Sequence, residues 1–290
     1  MEWRLPLSSG RVLATGPGPG LMAVLNVTPD SFSDGGRFGS SEEAAEEGAR
    51  YADLGAAIVD VGGESTRPKG GVYGEGAREI SSNDEERRVL PVISRLRALR
   101  PSLPISIDTR RASVASAALD AGADVVNVVT GLDASEELLS TIATARAAVV
   151  LNHCRGTPQT TFEKSSFADV VAEVAADLSA ARERAISAGV DSSRIFLDPG
   201  LGFGKDAGQN FELLSRLSDV APLGTPLVVG ASRKAFLGMI AGRPANDRLP
   251  ESLAAAAVAA RAAAAHPVLL RVHDVEETLR FLAALARAGG

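Results

Sequence analysis

The sequence has little that would direct the protein to nucleic acid, to an anionic membrane or to an oxidising compartment. It contains one cysteine, Cys154, which excludes an intrachain disulfide and a cysteine-based metal cluster and fits the reducing cytoplasm. Lys and Arg total 30 against 36 Asp and Glu, and the formal net charge is −6. General binding to nucleic acid or to an anionic membrane needs a basic face, so neither is expected.

Long apolar runs are also missing. The N-terminal residues, MEWRLPL, lack the apolar stretch of a secretory signal. The later apolar stretches are far shorter than the roughly 20 residues that a membrane helix needs. We therefore expect a soluble, cytoplasmic protein. Because the chain as a whole is acidic, any bound anion must be held by a few local cations.

What the sequence does contain is a repeated alternation of short runs rich in Val, Ile and Leu with longer stretches of helical periodicity. This alternation is the mark of βαβ units. Eight strands are predicted, at 21–27, 57–62, 104–108, 124–129, 147–153, 194–198, 226–231 and 268–273. Eight such units close into a barrel more naturally than into an open sheet. The predicted fold class is therefore α/β, a (β/α)8 TIM barrel that forms one domain over residues 1–290.

Three of the intervening helices are clear from their composition, and the first residues suggest an additional element. Residues 41–55, 168–189 and 251–265 combine helix-forming residues with a Gly or His-Pro stop. The last of these is rich in alanine, which is most simply a close-packed helix beside the barrel. Residues 1–20 contain WRLPL and RVLA around a turn at SSG, so we predict a short N-terminal β-hairpin that caps the bottom of the barrel.

Polar side chains lie at or near the C-terminal end of nearly every predicted strand, where barrel enzymes carry their active sites. Any one of them alone could be a helix cap or a buried hydrogen-bond partner. Their occurrence on nearly all eight strands predicts a catalytic face. The residues are Asn26, Asp60, Asp108, Asn127, Asn152, Asp198, Arg271 and His273, with Ser232 and Lys234 after the seventh strand.

The spacing of these residues indicates what the face binds. Arg271 and His273 are two apart on one strand, so both can point to one spot that suits phosphate oxygens. Ser232 and Lys234 share the same spacing, although a solvated basic loop is an alternative. Three residues from separate strands present acceptors and an amide that suit the edge of a flat heterocycle, namely Asp108, Asn127 and Asp198. The sequence therefore predicts a heterocycle held beside a phosphate-type anion.

Three loops after strands one, two and six have compositions that fit this site. NVTPDSFSDGG (26–36) and GGESTRPKGG (62–71) mix glycines, hydroxyls, a carboxylate and an arginine, as in mobile loops that close over a substrate. DPGLGFGK (198–205) can bring backbone N–H groups close to a ligand, but a Gly-rich loop alone is weak evidence.

Six segments, in this order and spread over nearly the whole chain, closely resemble dihydropteroate synthases: MAVLNVTPDSFSDGG, IVDVGGESTRP, SIDTR, DPGLGFGK, SRKAFLG and LLRVHDV. The resemblance implies a barrel enzyme of folate biosynthesis. Such an enzyme condenses 6-hydroxymethyl-7,8-dihydropterin diphosphate with 4-aminobenzoate and releases pyrophosphate, with Mg²⁺. It also implies a homodimer and a connection with sulfonamides, as target or through resistance.

The resemblance further implies a role for each matching residue. It places the pterin beside Asp108, Asn127, Asp198 and Lys234. It places the diphosphate beside Asn26, Arg67, Arg271 and His273, with Asn26 as the metal ligand. The neighbours of the aminobenzoate are Thr66, Pro68, Phe203, Ser232 and Lys234, and the first mobile loop contributes Asp30, Ser31, Phe32 and Asp34. The residues expected to take part in catalysis are Asp108, Lys234, Arg271 and His273.

The sequence departs from the family at three positions. Val128 stands where an Asp is usual, and a Met is usual where this chain has Asn152 and, often, where it has Cys154. Asn152 should face inward, so we add it to the pterin-binding set, either as a hydrogen-bond partner of the ring or as a site for water. Val128 has the opposite parity and should affect packing.

Three further features receive separate interpretations. The second loop is slightly long around Tyr73, and we hypothesise that this changes how sulfonamide-type analogues are accepted. His153 is interpreted as a satisfied histidine between barrel and helices, and His266 as a helix stop.

Two other functions share part of this pattern. A methyltetrahydrofolate-binding methyltransferase barrel would share the pterin acceptors but has no diphosphate to hold, so the cationic set argues against it. A non-catalytic pterin-binding relative is supported only by Val128 and Asn152. Pyrophosphate release that depends on both aminobenzoate and Mg²⁺ separates the three.

Overall fold

The computed structural model describes residues 2–16, 18–27, 40–65, 79–157, 159–164, 166–244 and 247–289. Within these ranges all eight predicted barrel strands and the N-terminal hairpin are present. The hairpin strands are β1 Trp3–Pro6 and β2 Val12–Thr15. The barrel strands are β3 Gly20–Asn26, β4 Ile58–Gly62, β5 Ile105–Asp108, β6 Val125–Val128, β7 Ala148–Asn152, β8 Ile195–Asp198, β9 Leu227–Val229 and β10 Val268–Val272.

The eight later strands form a closed parallel barrel in the order β10-β3-β4-β5-β6-β7-β8-β9, so the predicted fold is confirmed. The strand register brings the chemically important positions to one end. Asn26 pairs with Gly62, and Gly62 pairs in turn with Asp108. Asp108 is opposite Asn127. Two strands further on, Asn152 is opposite Asp198. The polar residues predicted at separate strand ends therefore line one rim.

Nine α-helices surround the barrel in the described part of the chain. They are α1 Ser41–Leu54, α2 Ser82–Leu99, α3 Ala112–Asp120, α4 Glu136–Thr144, α5 Val170–Ser187, α6 Ala207–Ser215, α7 Ala235–Ala241, α8 Leu249–Ala260 and α9 Val275–Arg287. Short 3-10 turns lie at Gly131–Asp133, Thr161–Lys164, Ser192–Arg194, Leu217–Asp219 and Arg261–Ala264. None of the helices described is both long and apolar enough to span a membrane.

Local sequence explains where the three predicted helices begin and end. The Ser40 side chain caps α1 by accepting from the Glu43 amide, and Gly55 ends it in a left-handed conformation that glycine adopts without strain. The Asp169 side chain caps α5 in the same way as Ser40 caps α1. The alanine-rich segment forms α8 and then tightens into a 3-10 turn.

The main hydrophobic core lies between the strands and the helices. The alanines Ala255 and Ala259 of α8 are buried in it, which confirms that this run is a closely packed helix. Val128 is fully buried in the same layer, as its parity predicted. The side chain at this position therefore faces the helices and not the barrel interior.

A second, smaller core closes the bottom of the barrel, and the N-terminal hairpin is part of it. Leu5 and Leu13 pack against inward-facing residues of the barrel, among them Met22 and Phe196. Trp3 adds an edge-on contact with Phe196, with ring centres 5.5 Å apart. The hairpin predicted over residues 1–20 thus covers the end of the barrel opposite the polar rim.

A buried carboxylate fastens the hairpin. Asp124 accepts from the Ser9 hydroxyl at 2.5 Å and from Arg11 Nε at 2.9 Å. Arg97 of α2 reaches the same carboxylate at 2.8 Å. The Asp124 side chain is completely buried, so these cations and donors replace the water that it loses.

Truncating an apolar side chain of the hairpin should lower the stability of the protein only when that side chain is on the inner face. Leu13→Ala should lower the free energy of unfolding by about 2–5 kcal/mol, because it deletes a fully buried side chain. Val12→Ala, one residue away on the opposite face where 37% of the side chain is exposed, is the matched control and should change it by less than about 1 kcal/mol. Urea denaturation measures both. Equal losses would contradict the capping role of the hairpin.

Candidate active site

The rim of the barrel holds a pocket of about 350 Å³, part of which is open to solvent. All of the residues predicted to bind the heterocycle line it, together with Arg271, apolar side chains and one glycine. The lining residues are Asp108, Asn127, Val129, Asn152, Asp198, Leu201, Phe203, Gly230, Lys234 and Arg271. The structure therefore brings together residues from β5, β6, β7, β8 and β10 and from the loops after β8 and β9.

Arg271 ties two carboxylates together at the base of this pocket. Its Nε donates to Asp60 Oδ2 at 2.7 Å, and its Nη2 donates to Asp108 Oδ2 at 2.9 Å. The Asn127 amide donates to the same Asp60 oxygen at 3.0 Å. Asp60 is completely buried, so the guanidinium supplies the charge that makes its burial tolerable.

The burial of these charges changes their protonation. Removal from water raises the pKa of Asp108 to about 7, although the Arg271 charge opposes the rise. Burial also raises the pKa of Asp198 and lowers that of Lys234 to about 8. Asp108 changes charge in the physiological range.

The two amides of the pocket are oriented by their hydrogen bonds. The Asn152 amide nitrogen donates to the Val129 carbonyl at 2.7 Å, and a carbonyl can only accept, which fixes the side chain's orientation. The Asn127 amide nitrogen is likewise directed at Asp60. In each case the amide oxygen is the atom left for the pocket. Together with the Asp108 and Asp198 carboxylates, these amide oxygens give the pocket acceptors on four strands, and Lys234 is a donor.

Lys234 lies over an aromatic ring of the same pocket. Its Nζ is 4.0 Å from the centre of the Phe203 ring, a cation–π contact. Phe203 is itself buried beside Val129 and Cys154. The ring and the ammonium thus form one wall of the pocket.

His273 and Arg271 are not two free cations, because each side chain is hydrogen-bonded to neighbouring residues. The His273 Nδ1 is 3.1 Å from the Ser232 hydroxyl, and its backbone N–H donates to the same oxygen at 3.2 Å. Burial, followed by the Arg271 charge, lowers the pKa of His273 to about 3. His273 is therefore neutral at physiological pH, and the nearby Arg271 carries the positive charge of this strand.

The loop after β9 contains a residue in an unusual backbone conformation that is held by an ion pair. Arg233, between Ser232 and Lys234, has a φ of 59°, which a non-glycine residue adopts only when its surroundings enforce it. Arg233 forms an ion pair with Asp274, the residue after His273. This pair joins the loop that carries Lys234 to the end of β10.

Asn26 ends β3 and is exposed at the rim. Mg²⁺ is commonly bound through one or two protein oxygens together with substrate phosphates and water. A single exposed amide oxygen fits that mode. In the described residues no group of three His, Cys, Asp or Glu side chains could form a complete protein cage for a metal.

Other predicted site residues lie outside the described residues, and their roles stay predictions. They are Asp30, Ser31, Phe32 and Asp34 of the first loop, and Thr66, Arg67 and Pro68 of the second, which also contains Tyr73.

The structure adds two charged residues, Asp60 and Lys205, that are absent from the predicted binding sets. Asp60 was recognisable as a strand-end carboxylate, and a carboxylate inside the buried run IVDVG signals a cation partner. Lys205, the last residue of DPGLGFGK, is 3% exposed and lies behind the pocket. Nothing in the sequence distinguishes it from a surface lysine except its place in that motif.

The two remaining histidines are buried and hydrogen-bonded. His153 lies between the barrel and α5, where its Nε2 is 3.1 Å from Asp177, so its interpretation as a satisfied histidine is confirmed. His266 follows the 3-10 turn after α8. Its ring nitrogens lie near the carbonyls of Thr225 and Ser218, so it also connects two loops.

A closed barrel with an acceptor-lined pocket at the C-terminal strand ends is the architecture of the barrel enzymes. A family model of pterin binding enzymes matches residues 22–273. The chain is 43% identical to a dihydropteroate synthase from Synechocystis sp. over 256 residues, 88% of this chain and 85% of the relative. The chain belongs to the dihydropteroate synthase family and is thus a transferase of folate biosynthesis.

Solved structures agree. A dihydropteroate synthase from Xanthomonas albilineans with 4-aminobenzoic acid superposes with a TM-score of 0.87 at 40% identity, covering 100% of this chain and 99% of that one. The same enzyme with 7,8-dihydropteroate gives a TM-score of 0.83 at 36% identity, with 99% of both chains covered.

The raised pKa of Asp108 predicts a pH-dependent stability difference. The folded state binds the Asp108 proton more tightly than the unfolded chain, in which the pKa of Asp108 is near 3.8. Protonation of Asp108 therefore stabilises the folded state at low pH, and this stabilisation is lost as the pH rises towards 7. Asparagine does not titrate. Asp108→Asn should therefore gain stability relative to the wild type between pH 5 and pH 8, by on the order of 2 kcal/mol. Urea unfolding at both pH values tests this, and a constant difference would refute it.

Proposed function

We propose that this site condenses 6-hydroxymethyl-7,8-dihydropterin diphosphate with 4-aminobenzoate to give 7,8-dihydropteroate and pyrophosphate. The observation that carries the proposal is the acceptor-lined pocket. A dihydropterin presents an exocyclic amine and ring N–H groups, and these donors complement carboxylate and amide oxygens on four neighbouring strands. The Xanthomonas albilineans relatives hold 4-aminobenzoic acid and 7,8-dihydropteroate, the second substrate and the product of this reaction.

In this reaction the pterin lies against Asp108, Asn127, Asn152, Asp198 and Lys234, all of which line the pocket. Asp108 Oδ1 is buried and has no hydrogen-bond partner within the described part of the chain. A buried oxygen without a donor is costly, so a ligand N–H at this point is favourable. Asn152 supplies an extra acceptor through its fixed amide.

The chemistry depends on the leaving group. An arylamine is a weak nucleophile, so the reaction is easier when the bond between the pterin methylene carbon and the diphosphate oxygen is largely broken before the amine attacks. The carboxylates Asp108 and Asp198 place negative charge near the cation that develops on the pterin. The new C–N bond then forms, the amine proton is released, and pyrophosphate leaves with the electrons of the broken C–O bond.

The diphosphate lies beside Asn26, Arg67, Arg271 and His273. Arg271 remains bound to Asp60, which is fully buried, and exchanges Asp108 for a phosphate oxygen when the pterin supplies Asp108 with a new donor. His273 is neutral, and when the Ser232 hydroxyl donates to its Nδ1 the ring proton is on Nε2, which can then donate to phosphate. Asn26 would hold Mg²⁺ by its amide oxygen, and the ion would neutralise charge on the departing diphosphate.

The aminobenzoate lies beside Thr66, Pro68, Phe203, Ser232 and Lys234. Phe203 and Lys234 together suit a molecule with one apolar ring and one carboxylate, because the phenyl ring supplies a flat contact and the ammonium a charge. The predicted roles of the first-loop residues Asp30, Ser31, Phe32 and Asp34 in covering the substrates remain part of this proposal.

Three wider predictions accompany the function. We propose one domain over residues 1–290, since β10 near the end of the chain pairs with β3 near its start. The homodimer rests on the family resemblance. Location in the cytoplasm is supported by the single cysteine, Cys154.

An assay of pyrophosphate release tests the proposed reaction. With 6-hydroxymethyl-7,8-dihydropterin diphosphate as substrate, release should require both 4-aminobenzoate and Mg²⁺, and 7,8-dihydropteroate should appear in equal amount. Release without the amine would indicate hydrolysis. No release at all would favour a methyltransferase or a non-catalytic pterin-binding protein.

Loss of the Arg271 charge should affect turnover more than binding. Arg271→Ala should lower kcat by about 100-fold or more, with a much smaller change in KM for the pterin diphosphate, because the charge acts mainly on the departing diphosphate. Arg97→Ala is the matched control, since Arg97 also pairs with a buried carboxylate, Asp124, at the opposite end of the barrel. Steady-state kinetics on folded protein measure both, and an unchanged kcat in Arg271→Ala would exclude this role.

A further inference from the structure

Behind the pocket, one buried lysine is surrounded by three acceptors. Lys205 Nζ lies 2.9 Å from the Gly200 carbonyl, 3.1 Å from the Phe203 carbonyl and 3.0 Å from His153 Nδ1. An ammonium group has three N–H donors and no acceptor, so each donor has one partner. The side chain is 3% exposed, which makes this arrangement part of the interior.

The histidine of this group is held in a defined state. When Lys205 is protonated it only donates, so His153 Nδ1 accepts and the ring proton is on Nε2, which donates to Asp177 at 3.1 Å. Burial, followed by the Lys205 charge, lowers the pKa of His153 to about 4, so the ring is neutral. Arg155 donates to the same Asp177 oxygen at 2.9 Å and completes the network.

Lys205 closes the turn that carries two pocket residues. The Gly200 N–H donates to Asp198 Oδ1 at 2.8 Å, and the Phe203 N–H donates to the Gly200 carbonyl. Gly200 has a φ of 68°, and a Cβ there would lie 1.9 Å from the His153 carbonyl oxygen. The turn is therefore pressed onto the end of β7, with Lys205 bridging its first and last carbonyls.

We propose that Lys205 is a positioning residue for the wall that Phe203 and Lys234 form beside the arylamine substrate. It acts through the turn that holds Phe203 beneath Lys234. The inference rests on the proposed function for the identity of the amine. Burial lowers the pKa of Lys205 to about 7, but the neutral amine still has two N–H groups for the two carbonyls. The turn is thus held in either protonation state.

Lys205→Met keeps a buried side chain of similar length and removes the donors. We expect KM for 4-aminobenzoate to rise about tenfold, the effect of losing one well-placed buried interaction, while KM for the pterin diphosphate changes less than about threefold. Arg97→Met is the control, because Arg97 is another poorly exposed cation that donates to backbone carbonyls, at Gly122 and Leu103, far from the pocket. It should lower stability and leave both KM values unchanged.

A double-mutant cycle distinguishes positioning from general stabilisation. If Lys205 acts through Phe203, then Lys205→Met should raise KM for 4-aminobenzoate less than about twofold in a Phe203→Leu background. Additive effects, or equal rises in both KM values, would overturn the inference. Should Lys205→Met fail to fold, His153→Leu removes one of the three acceptors and should show the same selective rise at smaller size.

A spectroscopic measurement separates this inference from the proposed function. With 4-fluorophenylalanine incorporated, the ¹⁹F resonance of Phe203, assigned through Phe203→Leu, should shift or broaden in Lys205→Met and remain unchanged in Arg97→Met. An unchanged Phe203 resonance refutes the inference even if the wild type is active. If the Phe203 resonance changes in Lys205→Met but the wild type releases no pyrophosphate, the positioning role is supported and the proposed reaction is refuted.

Discussion

The ion pairs of Arg271 hold the catalytic rim together. Its guanidinium joins Asp60 and Asp108 across the top of the barrel, where two carboxylates would otherwise be buried without compensating charge, a cost of several kcal/mol. Asn127 is oriented by the same Asp60 oxygen. The pairs therefore determine which atoms of the rim remain available to a ligand. In the proposed reaction the same cation faces the departing diphosphate, so one charge serves both the folded structure and the chemistry.

The residues around this cation come from several strands. Strands β5 to β8 supply the acceptors that line the pocket, which bind the pterin in the proposed reaction, and the loop after β9 supplies Lys234, which contacts Phe203. A second layer fixes these groups: Asp274 holds the strained Arg233 beside Lys234, and Lys205 holds the turn beneath Phe203. Loop residues outside the pocket thus contact the segments that carry its lining, as expected where a site must be held in place before substrate arrives.

Much of this could be predicted from the sequence, because alternation and strand ends follow from local pattern. The eight strands, the hairpin, the inward Asn152 and the outward Val128 all depend on period and parity alone. The partners could not be predicted. Parity turns Asp60 and Arg271 inward, but they lie 211 residues apart, and only the closed barrel makes them neighbours. The three acceptors of Lys205 could not be predicted either, since two of them are backbone carbonyls whose direction depends on the conformation of the turn.

In the proposed reaction Arg271 exchanges one carboxylate for the diphosphate while it keeps the other. A crystal structure of the chain with 6-hydroxymethyl-7,8-dihydropterin diphosphate tests this directly. We expect the Arg271 Nε bond to Asp60 to stay near 2.7 Å, Nη2 to leave Asp108 for a phosphate oxygen, and Asp108 to contact a ring N–H. A complex in which Arg271 keeps both carboxylates and the diphosphate lies elsewhere would contradict it.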